Sequence, residues 1–459
     1  MKRRDFIYGV GAAGALFTGN TISGKRMPVD LSDCGCDASP LGQQDKIAYD
    51  IPHVPKTPWQ EGKFDHVLSK VRITNMKTIP VSVTPTSDRP YVFVKLETNV
   101  GVVGWGEATL EGKAGSAMAA VHDLKDSIIG SDPMQVEHHW QSMWVHAFFR
   151  GGPILGSAIS GIDHALWDLR GKLLGLPVYK LLGGPTDPAG VRGYYHARAG
   201  SREELIKLRE TAEKDGVTAF KTGLAAQTYE WIDTHAKIDQ AIKRLQMMRE
   251  VLGPNIDIAC DFHAKTSPSV ASIILREIES LNLLFVEELC PPENVKAMAR
   301  IASRSTTPIA TGERLIAHFG CRELVEQGIV DILQVDCAHV GGITAVWKTG
   351  ALAAASGISM APHNCTGPIG GLAAINVDAA MPNFLVQEVC SGVVPSLNEK
   401  VWEEWLGFPA QRMVNGKYPL SDKPGLGFDL NEEALKKYPF AGTVPMARVF
   451  ADDGSVCAW

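Results

Sequence analysis

Three short runs, IDIACD (Ile256–Asp261), LLFVE (Leu283–Glu287) and PIATGE (Pro308–Glu313), follow one another at nearly equal spacing, and each ends on a carboxylate. A short apolar run without alternation reads as a strand buried on both faces, as in a parallel sheet. Between the first two runs, Val270, Ile273, Ile274, Ile278 and Leu281 recur at helical spacing and predict a helix with one apolar face. The unit is therefore strand, helix, strand.

The same unit extends in both directions. Val191–Tyr195 and Val217–Lys221 precede these runs, while Val330–Asp336, Ile358–His363 and Phe384–Glu388 follow them. Eight strands alternating with helices predict an α/β fold, a (β/α)8-type barrel over residues 186–390. Upstream, Val71–Ile79, Tyr91–Glu97 and Val102–Glu107 alternate and are joined by turn residues such as Asn99 and Gly101, and Ile154–Leu174 has a helical pattern. They predict an α+β domain over 69–185. Residues 391–459 form a C-terminal segment expected to return to that domain.

Lys221, Asp261, Glu287, Glu313, Asp336, His363 and Glu388 each close a strand, with spacings from Asp261 onward of 26, 26, 23, 27 and 25 residues. One strand-helix repeat takes about that length, so the chain delivers an ionisable group from strand after strand to the C-terminal rim of the barrel, where barrel enzymes do their chemistry. Two carboxylates about 4 Å apart repel by roughly 4 kcal/mol at an effective dielectric near 20. Three together, Asp261, Glu287 and Glu313, call for protons or a cation. An all-carboxylate set favours a hard ion, Mg²⁺ first and Mn²⁺ second, one per subunit. Asp336 beside His363 makes a candidate general base, because a carboxylate on one ring nitrogen raises the basicity of the other. His263, two residues beyond Asp261 on an extended chain, faces the same way and is the candidate acid. Glu388 donates a hydrogen bond if a low dielectric and the nearby carboxylates keep it protonated. Lys221 is assigned to substrate contact.

Composition narrows the partners. Of 459 residues, 45 are basic and 51 acidic, for a net charge of −6, which gives no footprint for nucleic acid. Met1-Lys2-Arg3-Arg4-Asp5-Phe6-Ile7 leads into an apolar stretch ending at Phe17, too short to span a bilayer. It reads as an export signal over residues 1–30, with Arg3-Arg4 resembling a twin-arginine signal, so a periplasmic location is expected and a cytoplasmic one is the alternative. Gly9, Gly11 and Gly14 have dinucleotide-fingerprint spacing, but no strand precedes them. Residues 31–68 read as a linker or arm and hold Cys34 and Cys36. Nine cysteines without metal-knuckle spacing argue against a disulfide scaffold.

On these residues the chain resembles the enolase superfamily, mandelate racemase-like group, and most closely the D-galactonate dehydratases. The resemblance is carried by Gly104-Trp105-Gly106-Glu107, Gly161-Ile162-Asp163-His164-Ala165-Leu166-Trp167-Asp168, Asp261-Phe262-His263, Val286-Glu287-Glu288, Gly312-Glu313-Arg314, Ala361-Pro362-His363 and Gln387-Glu388. It implies a capping α+β domain over a modified barrel, Mg²⁺ on Asp261, Glu287 and Glu313, His363 as base with Asp336 behind it, His263 as acid, and Glu388 at the enolate. The implied reaction removes the proton next to an aldonate's carboxylate, expels the β-hydroxyl and gives a 2-keto-3-deoxy acid. A homo-oligomer is expected, with no membrane span.

Some positions depart from that pattern. Lys221-Thr222-Gly223 has one lysine where racemases of the superfamily carry Lys-x-Lys, which disfavours a racemase or epimerase. Ala264-Lys265 follow His263 where galactonate dehydratases have Gly-Arg, so the sugar's configuration stays open. Mannonate or other aldonate dehydration is the neighbouring alternative, and a metal-bound sugar-acid receptor is the non-enzyme one.

Overall fold

A computed structural model describes residues 68–225, 230–389, 396–410 and 412–458. The expected export signal at 1–30, the arm up to residue 67, and Cys34 and Cys36 lie outside the described residues.

Strands β1 (Ile73–Val81), β2 (Tyr91–Thr98) and β3 (Val103–Glu107) form an antiparallel sheet in that order. The turn into β3 needs Gly101, which sits at φ +78° and donates its N–H to Thr98 at 3.1 Å. Helix Pro153–Leu174 lies hard against β3: a Cβ on Gly106 would come within 1.9 Å of the Gly161 carbonyl oxygen, and one on Gly104 within 2.3 Å of that of Ala165. Asp168 ties three pieces together, accepting from the backbone N–H of Trp105 and of Leu426 at 2.9 Å each and pairing with Lys172 at 2.8 Å. Much of what the glycine- and aspartate-rich motifs here do is packing.

The second sheet is the barrel. Its strands are β4 (Val191–His196), β5 (Ala219–Gly223), β6 (Asp257–Asp261), β7 (Phe285–Glu287), β8 (Ile309–Thr311), β9 (Ile332–Leu333), β10 (Ser359–Met360) and β11 (Gln387–Glu388). Neighbours from β4 to β10 pair in parallel, β11 pairs in parallel with β4, and a parallel bridge from Met360 to Phe384 joins β10 to the segment entering β11. The circuit is thereby closed. A short strand β12 (Lys417–Tyr418) adds antiparallel to the outside of β4. All eight expected strands are present, several shorter than read. Pro362, for one, has no N–H to give, so no ladder can run on through it to His363.

Inside the barrel, Tyr194, Ala219, Ala259, Phe285, Ala310, Ile332, Ala361 and Val386 form one apolar layer, with one residue from each strand or its extension. Strand side chains alternate, so the residue two further along points the same way. That rule lifts His196, Lys221, Asp261, Glu287, His363 and Glu388 from the layer to the mouth. On β8 the corresponding position is Gly312, at φ +147°, where a Cβ would strike the backbone N of Gln334 at 2.7 Å, and Glu313 serves in its place.

One helix face needs correction. Helix Pro268–Ile278 buries Ala271, Ile274, Leu275 and Ile278, while Ile273 is 38% exposed. The inward stripe follows the i, i+3, i+4 and i+7 series from Ala271, a small residue that hydropathy alone underrates. Helix Leu397–Leu406 brings Trp405 edge-on to Tyr91 and Phe93, with centroids 5.7 and 5.6 Å apart, and Val81 bridges to Pro439. The C-terminal residues thus cover the antiparallel sheet.

Candidate active site

The barrel mouth opens into a cavity of about 430 Å³ whose walls include Arg89, His196, Lys221, His263, His363 and Glu388. At its floor the Lys221 ammonium lies 2.7 Å from Glu287, 3.0 Å from Glu388 and 3.3 Å from Asp261. Lys221 is only 3% exposed, so its partners are these carboxylates and its part in substrate contact is confined to whatever reaches the floor. One ammonium serves four buried carboxylates, counting Glu313. The surplus shows in their proton affinities. Burial, then the charges of Asp261, Glu388 and Glu313, push Glu287 well up against the pull of Lys221. Burial likewise raises Glu313 against His363. Asp261 goes down, because His263 and Lys221 together outweigh its burial.

These residues fit a divalent cation. Glu287 Oε1 is buried and accepts no hydrogen bond among the described residues, and Asp261 Oδ2, Glu287 Oε2 and Glu313 Oε2 share only Lys221, His263 and His363 between them, so a further positive charge would offset a costly surplus of buried carboxylate. Asp261 and Glu313 come together in a compact trio with His263, ligand atoms within 4.8 Å of one another, whereas Glu287 turns toward Lys221. The expected trio of carboxylates is present at the mouth, with Glu287 more tightly engaged by lysine than spacing implied.

His363 stands at one side. Its Nδ1 lies 2.6 Å from Asp336 Oδ2, and its Nε2 points to Glu313 at 3.3 Å and Glu388 at 3.8 Å. Burial lowers its proton affinity, but Glu313, Glu388 and Asp336 carry it well above the ordinary imidazole range. His263 stands beside Asp261 at φ +47°, with a third of its side chain exposed. Asp261 accepts its backbone N–H at 2.7 Å and lies 3.0 Å from its Nδ1. Burial takes the ring down to about 4 in spite of Asp261, so at neutral pH it is uncharged and offers an N–H rather than a full positive charge.

Glu388 differs from expectation. Lys221 approaches it at 3.0 Å and His196 at 2.9 Å, and against complete burial the Lys221 and His363 charges with the His196 hydrogen bond hold it well below the usual carboxylate range. It is ionised and accepts hydrogen bonds. The donor beside it is Lys221.

Sequence reading missed a second layer. His339 sits 3.8 Å from Asp336 on one side and 3.5 Å from Glu111 on the other, with its Nδ1 2.9 Å from the Ser157 hydroxyl. Burial works against Glu111's charge, yet His339 and Arg89 hold it down to about 2. Arg89 Nε lies 3.3 Å from Glu111, and the same guanidinium donates to the Cys365 carbonyl at 2.9 Å. His196 was missed by one position, since it closes the first barrel strand as Asp261 closes the third.

Residues 66–183 match the mandelate racemase / muconate lactonizing enzyme N-terminal domain, and residues 204–434 the enolase C-terminal domain-like family. A D-galactonate dehydratase of Pectobacterium atrosepticum is 36% identical over 75% of this chain and 90% of its own length. That of Ralstonia pickettii is 37% identical over 80% and 96%. Among solved structures, an enolase from Pantoea ananatis with bound D-gluconate and Mg aligns over 84% of this chain and all of its own, at 28% identity and TM-score 0.76.

Proposed function

Because the chain belongs to the mandelate racemase / muconate lactonizing enzyme family of the enolase superfamily, we propose that it is a Mg²⁺-dependent acid-sugar dehydratase, a hydro-lyase acting on D-galactonate or a related aldonate. The observation that carries this reading is that two histidines reach one carboxylate cluster at different members, His263 at Asp261 and His363 at Glu313. Asp261, Glu287 and Glu313 would hold Mg²⁺, which supplies positive charge where the substrate carboxylate gains electron density.

The protein's own groups do the rest. With a cation on Asp261, Glu287 and Glu313 offsetting the Glu313 charge that raises His363, the ring would be neutral at Nε2 and would take the proton from the carbon next to the substrate carboxylate, while Asp336 holds Nδ1 and stabilises the charged form that results. Lys221, fixed by its carboxylates, sets a second positive charge at the floor of the site. His263, beside Asp261, gives a proton to the departing β-hydroxyl, which leaves as water. Loss of water leaves an enol, which ketonises to the 2-keto-3-deoxy acid. A racemase would need a second base on the opposite face of the substrate. Lys221, the single lysine of Lys221-Thr222-Gly223, is engaged by Glu287, Glu388 and Asp261 instead.

Export through the twin-arginine route is supported by Arg3-Arg4 and the apolar run behind them, and Arg3→Lys with Arg4→Lys should abolish it. We take the working unit to be a homo-oligomer, which analytical ultracentrifugation tests. The function itself is tested by incubating the protein and Mg²⁺ with hexonates and pentonates of each configuration and assaying the semicarbazone of the product. A 2-keto-3-deoxy acid from one aldonate supports the reading. Metal and sugar-acid binding without product on any member would replace it with the receptor.

A further inference from the structure

Beside the carboxylate cluster lies a second group of ligand atoms of different chemistry. His196 at the end of β4, Cys365 two residues beyond His363 and Glu388 on β11 place a ring nitrogen, a thiol sulfur and a carboxylate oxygen within 4.8 Å of one another. His196 Nε2 is 2.9 Å from Glu388 Oε1, and Cys365 Sγ is 3.9 Å from the same oxygen. Zn²⁺ takes sulfur, nitrogen and oxygen ligands at roughly 2.0–2.3 Å in a tetrahedron, which sets neighbouring ligand atoms about 3.3–3.8 Å apart. The two separations from Glu388, 2.9 and 3.9 Å, lie within about half an ångström of that range. All three line the cavity, so an ion can reach them.

We propose that His196, Cys365 and Glu388 form a second metal site, selective for a borderline-soft divalent ion such as Zn²⁺ or Cd²⁺, and that filling it blocks the substrate cavity. Selectivity follows from the ligands. A thiolate and an imidazole prefer Zn²⁺ to Mg²⁺, whereas the neighbouring oxygen set prefers the hard ion. Blockage follows from position, because the three ligands line the cavity together with Lys221, so an ion they hold occupies that cavity and takes from Lys221 one of its three carboxylates. Three protein ligands leave the fourth tetrahedral position facing the pocket.

The test uses the full-length protein. Cd²⁺ is titrated in saturating Mg²⁺, and the ultraviolet thiolate-to-cadmium charge-transfer band is followed in wild type and Cys365→Ser. A band that saturates at one equivalent in the difference between the two proteins supports the site, and its absence overturns it. Alkylation of the unmutated protein gives a readout that no folding defect can confuse. Zn²⁺ should slow iodoacetamide labelling of Cys365 at least tenfold and leave Cys457, which belongs to no such group among the described residues, unchanged. Equal labelling with and without Zn²⁺ would contradict the proposal. Once a substrate is known, inhibition by Zn²⁺ should persist when Mg²⁺ is raised tenfold and weaken at least tenfold in Cys365→Ser. Relief by Mg²⁺ in both proteins would show that Zn²⁺ acts at the carboxylate cluster and would refute blockage from the second site.

Discussion

His363 Nδ1 lies 2.6 Å from Asp336 Oδ2, and the other oxygen of that carboxylate accepts the N–H of Ala338 at 2.6 Å. The backbone thus aims the aspartate and the aspartate aims the ring, leaving Nε2 as the atom free to work on substrate. His363→Asn should lower kcat by about 10²–10⁴-fold, the usual contribution of a general base. Calorimetry should find Mg²⁺ affinity within about twofold of wild type. A variant with near-normal kcat would remove His363 from the mechanism.

Glu313 makes the opposite test. Its Oε2 is buried, with His363 Nε2 at 3.3 Å, and lies in one compact group with Asp261 and His263. Glu313→Gln keeps the shape and removes the charge. Even outer-layer changes typically cost 10–100-fold in metal affinity, so this one should weaken Mg²⁺ binding by roughly tenfold or more. Unchanged binding would mean that the ion sits elsewhere.

His164 sets a pH limit on stability. It is wholly buried, and burial lowers it from 6.5 to about 4. The unfolded chain therefore takes up a proton near pH 6.5 that the folded protein refuses until about pH 4. Stability is intact above 6.5 and falls as pH drops through that window. Between pH 7 and pH 5 the loss should be about 2 kcal/mol, read from urea unfolding, and His164→Asn should remove that share of the slope. Equal slopes in the two proteins would show that His164 does not titrate as described.

Glu107 binds the two domains to each other. Its carboxylate accepts from Gly367 N–H at 2.7 Å, from Ile369 and Gly370 N–H at 3.0 Å each, and from the Thr109 hydroxyl at 2.7 Å. The three amides begin helix Pro368–Asp378, where a negative charge also meets the positive end of the helix dipole. Glu107→Ala leaves three buried amides without an acceptor and should destabilise the protein by about 3 kcal/mol. Glu107→Gln, which keeps an acceptor oxygen, should cost less. Similar losses for both would put the charge, and not the hydrogen bonds, in control.

The parts of the site that were legible in the sequence are those fixed by local periodicity. An apolar layer on alternate strand residues forces the next inward residue to the mouth, so Asp261, Glu287, His363 and Glu388 could be picked from spacing alone. His196 obeys the same rule and was lost only because its strand was ended at Tyr195. Proton affinities were not legible in this way. Glu388 would donate a hydrogen bond only if its surroundings kept it protonated, but Lys221 and His363 reach it from other strands or their extensions and, with a hydrogen bond from His196, hold it ionised. The second layer was invisible for a related reason: Arg89 meets the Cys365 carbonyl across 276 residues of chain, and no pattern local to either residue announces that contact.

The most direct measurement is a proton NMR time course of the full-length protein with Mg²⁺ and D-galactonate, extended to the other aldonates. The account predicts that for one of them the signal of the proton next to the carboxylate disappears while a 3-deoxy methylene pair grows in step, in wild type and not in His363→Asn. Folded, Mg²⁺-bound protein that leaves every aldonate unchanged would contradict it.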